Sequence, residues 1–298
     1  MPLEPIGPMM RRAREGKYAV GYFESWNLES LQGVLDAAEE TSSPVILGFN
    51  GEFLSRAGRL AAERLSLYGT LGQAAASASS VPCGLIFNEC ANDEWVRQAV
   101  TVGFNLVMPA DPDASFDDYQ RRVVALTHFA HKHGVAVEAE LGELPCGASG
   151  RIEPHGAVTD PDLAARFVEE TGIDMLAVSV GNVHILTQGR KPLDLKHLER
   201  IRQRVSLPLA LHGGTGIDDD SLRAAIGLGV TKVNYGTRLK QRYLQAIGAS
   251  LEMKETNPHE RLGMGGEHDV MVAGRRAVCD VVRESIETLG CGGRANHV

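Results

Sequence analysis

Leu209-Ala210-Leu211-His212-Gly213-Gly214-Thr215-Gly216 runs from an apolar strand, entered at Pro208, into a histidine and then a glycine-rich turn. Asp218 to Asp220 follow and suit the start of a helix near Ser221. Two chemistries meet here. An imidazole at the carboxyl end of a buried strand holds a metal or moves a proton. Glycines let backbone N–H groups approach an anion at a helix N-terminus. Just downstream, Thr231-Lys232-Val233-Asn234-Tyr235-Gly236-Thr237 reads as a short strand ending in a second small-residue turn. Two adjacent strand ends of this kind match the phosphate corner of a (β/α)8 barrel, which the last two strands build.

Working outward, six more apolar runs read as strands: Ala19–Phe23, Pro44–Leu47, Pro82–Phe87, Asn105–Met108, Val135–Leu141 and Met175–Val180. Helical spacing covers Leu28–Glu40, capped by Asn27, then Ala57–Ala76, Glu94–Val102, Phe116–His133, Pro161–Thr171 and Leu195–Arg204. The tail from Leu239 to Leu289 is mostly helical, with a break around Asn257-Pro258. Eight alternations of strand and helix predict an α/β fold, a (β/α)8 TIM barrel with additional C-terminal helices. No linker or shift in composition divides the chain, so residues 1–298 read as a single domain. The long Gly- and Pro-containing loop from Gly142 to Val158 has the length of an active-site lid.

The net charge of −8 argues against nucleic acid or an anionic membrane as partner. No run of about 18 apolar residues is present to span a bilayer, and Met1 to Arg12 contains no signal-peptide h-region. Cys83, Cys90, Cys146, Cys279 and Cys291 are odd in number and form no CxxC pair. Reduced thiols and a cytoplasmic location are expected.

In a barrel every strand's carboxyl end faces one site. The polar residues at those ends are Glu24, Asn50, Asn88, Glu89, Glu140, His184, His212 and Asn234. His184 and His212 come from adjacent strand ends, and Glu89 completes two histidines and one glutamate, a set that zinc uses in catalytic sites. The alternative for either histidine is a hydrogen-bonded structural role. Cys90, next to Glu89, reads as a small buried residue rather than a ligand.

These residues together resemble the class II, metal-dependent ketose-bisphosphate aldolases, and most of all the tagatose- and fructose-bisphosphate branch. The resemblance runs from about Tyr18 to Asn296 through Asn27-Leu28-Glu29-Ser30-Leu31-Gln32, Val137-Glu138-Ala139-Glu140-Leu141-Gly142, Thr159-Asp160-Pro161, Leu176-Ala177-Val178 through His184, and Leu211 to Gly216. It implies a divalent metal, zinc or another, held at His184, His212 and, in place of a third histidine, Glu89. Where the family reads His-Leu-Asp-His, this chain reads Ile86-Phe87-Asn88-Glu89, so the acid/base aspartate becomes Asn88. The family's asparagine after the first strand becomes Glu24, and the glycine after the first zinc histidine becomes Ile185. Asn50, Gly213, Gly214, Thr215, Asn234, Gly236 and Thr237 stand as substrate- and phosphate-binding positions, and Glu140 as a carboxylate near the metal. In the rewritten loop after strand 5, around Arg151, Glu153 and His155, Glu153 is a loose candidate for the family's lid glutamate.

An amide cannot accept and return a proton as a carboxylate does, so Glu24 is expected to supply across the site the base that Asn88 no longer provides. The catalytic set is then Asn88, Glu24 and Glu140. The expected reaction is cleavage or formation of a ketose phosphate through a dihydroxyacetone-phosphate enediolate, with a non-standard substrate. The alternatives are a metal-dependent sugar-phosphate epimerase or isomerase, and a catalytically silent sugar-phosphate-binding protein. A small sugar phosphate is the expected partner, and the resemblance implies a homodimer or homotetramer.

Overall fold

The computed structural model describes residues 3–111, 113–148, 156–252 and 257–296. Eight strands pair in parallel and in chain order, closing β1 onto β8. They are β1 (Val20–Phe23), β2 (Val45–Asn50), β3 (Cys83–Cys90), β4 (Leu106–Pro109), β5 (Ala136–Leu141), β6 (Met175–Val178), β7 (Leu209–Leu211) and β8 (Val230–Tyr235). Between and after them lie α1 (Ile6–Glu15), α2 (Leu28–Glu40), α3 (Gly51–Ser55), α4 (Leu65–Ala78), α5 (Asp93–Thr101), α6 (Phe116–Lys132), α7 (Pro161–Thr171), α8 (Leu195–Arg204), α9 (Asp219–Gly227), α10 (Thr237–Leu251), α11 (Pro258–Arg261) and α12 (Val270–Leu289). The expected barrel with extra C-terminal helices is the observed architecture.

Local chemistry explains most boundaries. Asn27 and Ser30 form a reciprocal capping box that starts α2. Asp160 caps α7, Pro161 sits at its first position, and Gly172 ends it in the left-handed region. Asp218 caps α9. Two departures from the sequence reading stand out. The helix expected over Ala57–Ala76 begins at Leu65: Gly58 at φ +86° and the exposed stretch around it break the helical run, and a short helix, α3, starts directly at the end of β2 instead. The second departure is α1, which the sequence reading does not contain. Its Ile6, Met9, Met10 and Ala13 are buried. Glu4 N–H donates to Cys83 O at 2.8 Å, and Asn105 Nδ2 donates to Glu4 O at 2.7 Å. These bonds seat α1 beneath the amino ends of the strands, where it closes the barrel floor.

The strand registers decide which side chains enter the barrel. Residues paired across parallel strands share a face, and that face recurs every second residue. Tyr22 pairs with Asn234, Val20 with Lys232, and Asn50 with Asn88. On β5 the spacing of two puts Glu138 and Glu140 on one face. No described helix is long and apolar enough to cross a membrane.

Candidate active site

The carboxyl ends of the strands surround a cavity of about 250 Å³. Glu24, Asn50, Asn88, Glu89, His184, His212, Gly213, Thr215, Asn234, Gly236 and Thr237 all line it, so most of the sequence candidates come together.

Asn88 and Glu89 are consecutive, and a regular strand would send them to opposite faces. Both reach the cavity because the β3–β4 register slips between Phe87 and Cys90 and Glu89 adopts φ +52°. A left-handed glutamate is uncommon and costs free energy, and such outliers gather at functional sites. Ile185, beside His184, also lines the cavity and is held at φ +53°.

His212 is the hub. Its Nε2 lies 2.9 Å from Glu138 Oε1. Its Nδ1 lies 2.8 Å from Glu140 Oε2 and 3.1 Å from Glu89 Oε1. Burial alone would lower the pKa of this imidazole, but Glu140, Glu138 and Glu89 raise it well above the ordinary value. Burial would likewise raise the Glu89 carboxyl, yet His184, His212 and the Asn50 amide hold it well below the usual range. Asn50 is committed at both ends of its amide: Nδ2 donates to Glu89 Oε2 at 2.9 Å, and Oδ1 accepts from Phe53 N–H at 3.0 Å. It orients Glu89 and caps α3.

Glu140 therefore meets the other site residues through His212. Gly214 is buried behind the lining, where a Cβ would fall 2.7 Å from Val233 Cγ1. Arg151, Glu153 and His155 lie outside the described residues. The described start of their loop pairs with the segment bearing His184: His184 N–H donates to Pro145 O at 2.9 Å and Gly147 N–H to His184 O at 2.8 Å.

Three residues of the site were not singled out in the sequence. Glu138 and Lys232 are both fully buried and paired, Nζ to Oε2 at 2.8 Å. Burial would raise the Glu138 carboxyl, and Lys232 and His212 lower it below its ordinary range. A lysine in the middle of an apolar strand, and a glutamate two residues before Glu140, were the signals that could have found them. Lys240, on the first turns of α10, bonds Glu24 and stands 4.3 Å from the centre of the Phe53 ring. Glu24 is buried against it. Burial pushes its carboxyl above the usual range more than Lys240 pulls it down.

Among the described residues no three His, Cys, Asp or Glu side chains already form a closed metal cage. The donors nonetheless fit a divalent ion. His212 Nδ1 and His184 Nε2 stand 3.1 and 3.7 Å from the same Glu89 oxygen. Ligands at about 2.0–2.1 Å from a tetrahedral ion are roughly 3.3 Å apart, so those two distances bracket the required edge. His184, with 38% of its side chain exposed, has room to move in. Carboxylates converge on Nδ1 of an imidazole whose other nitrogen is already fixed by Glu138. That is the outer-shell pairing that orients a metal-binding histidine.

The turn after β7 is built for close approach. Gly213 has φ +68°, and a Cβ there would lie 2.1 Å from Val183 O. Gly213→Ala is expected to cost about 2–4 kcal/mol, from the left-handed backbone plus the clash, read as a lowered urea midpoint. An unchanged midpoint would contradict this account of the turn. Gly236 is constrained by charge placement, since a Cβ would fall 2.5 Å from Glu24 Oε2. Thr215 Oγ1 accepts from Arg238 N–H at 3.4 Å, which ties this turn to the start of α10.

The family model for class-II fructose-bisphosphate aldolase matches residues 5–294. The chain is 36% identical to the uncharacterized protein YdjI of Escherichia coli strain K12 over 93% of its own length and 94% of that protein. It is 32% identical to the fructose-bisphosphate aldolase of Geobacillus stearothermophilus over 99% of both. It superimposes on the crystal structure of the YdjI aldolase from Escherichia coli K12 with a TM-score of 0.80 at 31% identity, covering 99% of this chain and 100% of that one. A parallel barrel whose strand ends gather the histidines, carboxylates and glycine turn described above, matched almost end to end by these relatives, belongs to the class II fructose-bisphosphate aldolase family, and the chain is a lyase of that family.

Proposed function

We propose that this protein is a metal-dependent aldolase that cleaves or forms a ketose phosphate through the enediolate of dihydroxyacetone phosphate. The observation that carries the reading is the convergence of Glu89, His184 and His212 in one cavity with the Gly213–Thr215 turn and the start of α10. Those three side chains would hold the divalent ion, zinc or another. When bound, the ion supplies Lewis-acid stabilisation of negative charge on the substrate's carbonyl oxygen.

The chain's own groups do the rest. The amides around Gly213 and the first turn of α10 face the place for a phosphate, with Lys240 the one Lys or Arg among the described lining residues. Anchoring there fixes the reacting carbons with binding energy from a remote group. Asn234 Nδ2 lies 3.4 Å from Asn88 Oδ1 across the floor, so two amides and no carboxylate occupy that part of the site. Glu24 is the carboxylate on the lining that binds no metal-candidate histidine, and it is placed to accept and return a proton. The five cysteines are unpaired, which supports a reducing, cytoplasmic setting.

The test is exchange of the C3 proton of dihydroxyacetone phosphate for deuterium, followed by NMR in heavy water. Zinc-loaded protein is expected to catalyse it, and a chelator to stop it. The rate should rise with pH through a value above the ordinary glutamate range, because Glu24 accepts a proton only once ionised and its carboxyl is shifted upward. Glu24→Gln should lose that limb and at least about 100-fold in rate, within the usual range for a general base. No exchange by metal-loaded protein would remove dihydroxyacetone phosphate as the donor. Exchange with no triose phosphate released from any ketose phosphate would favour an epimerase or isomerase.

A further inference from the structure

Tyr22 stands on the same inward face as Asn234, its register partner across the β1–β8 seam, and two residues below Glu24. It lines the cavity floor, yet the residue is only 2% exposed. Its hydroxyl is buried and has no hydrogen-bond partner among the described residues. Buried polar groups are almost always paired, and each exception asks for a reason. The neighbouring polar groups are spoken for: Lys232 is held by Glu138 and Asn234, and Glu24 by Lys240.

We infer that the Tyr22 hydroxyl is a substrate contact, donating a hydrogen bond to an oxyanion of the bound enediolate at the floor of the cavity. The inference rests on the aldolase reading above and adds a residue to it. Three observations select this role. Asn88 and Asn234 bring amides, which carry no charge, to the same floor. Lys232 Nζ sits 5.3 Å from the centre of the Tyr22 ring, which fixes the ring without using the hydroxyl. Burial, with the negative charge of Glu24, Glu89 and Glu138, keeps the phenol protonated far above neutral pH, so it is a donor and not a base. A preset donor in a dry site is most effective where charge appears during the reaction.

The test compares wild type with Tyr22→Phe, which keeps the ring and its contact with Lys232. Both are zinc-loaded and titrated by calorimetry with the hydroxamate analogue of the dihydroxyacetone-phosphate enediolate, then assayed for C3 exchange and melted. A lost hydrogen bond to a charged group predicts about 10–100-fold weaker hydroxamate binding and a similar fall in exchange. The melting temperature should hold or rise, because an unpaired buried hydroxyl has been removed. Wild type that binds and exchanges while Tyr22→Phe matches it overturns the role of Tyr22 and leaves the aldolase reading standing. A lowered melting temperature with unchanged affinity assigns the hydroxyl to packing and overturns the inference. Wild type that neither binds nor exchanges defeats the aldolase reading, and the inference falls with it.

Discussion

His212→Ala is expected to slow chelator-sensitive exchange about 100- to 1,000-fold and to leave the purified protein without stoichiometric zinc. The size follows from the several kcal/mol that a bound cation contributes to stabilising developing charge, at about 1.4 kcal/mol per tenfold. The effect reaches beyond one lost ligand. The His212 ring joins Glu138 on one side to Glu140 and Glu89 on the other. Without it, those carboxylates lose their shared partner and face one another. Metal content by atomic emission checks the binding half of the prediction independently of any substrate. A variant that keeps one equivalent of zinc and full exchange would mean that the ion sits elsewhere.

Lys232→Met should be the most destabilising single change in the barrel interior, by about 3–5 kcal/mol, because it strands Glu138 as a buried charge without its cation. Urea unfolding measures the loss. The same variant is expected to bind zinc about 10- to 100-fold more weakly even where it is folded, since Glu138 sets the tautomer and orientation of His212. Combining Lys232→Met with Glu138→Leu separates the two effects. Apolar replacement of both partners of a buried pair is often neutral or stabilising, so the double variant should recover most of the stability. It should not recover metal affinity, because Glu138→Leu removes the acceptor of His212 Nε2. If the single variant were as stable as wild type, the pair would carry no structural charge.

The barrel was legible because eight apolar strands alternate with helices at a steady pace, and the histidines and glycine turns sit at strand ends. The placement of Asn88 beside Glu89 in one cavity was reachable from the resemblance, but its cause was not. It depends on a register slip and a left-handed glutamate, and neither leaves a mark in residue type. Period-2 spacing puts Glu138 and Glu140 on one face of β5, but the pairing of Glu138 with His212 and Lys232 depends on strands that the local pattern does not bring together. Lys232 was read as part of a strand and Lys240 as part of a helix, and their partners lie 94 and 216 residues away in the chain. Pairings at that separation are set by tertiary closure. Helix α1 carries no start signal in its sequence: Pro5 stands at its N-cap without a side-chain hydrogen bond, and no acidic residue lies in its first turn.

The seat of α1 bears on how the chain comes to be folded. It is made long before β8, against which it packs, and β1 needs β8 as one of its two neighbours. Leu289, at the end of α12, accepts the Ala19 N–H that leads into β1. Helix α1 and strand β1 therefore wait for partners that leave the ribosome more than 200 residues later. Until they arrive, the first strand's outer edge and the apolar side of α1 are open to other chains. Contacts so distant in sequence also slow closure of the ring. A rearranged chain whose new ends fall between two middle strands would carry β8, α12, α1 and β1 as one continuous stretch, and the longest wait in synthesis would move to the two middle strands that the new ends separate.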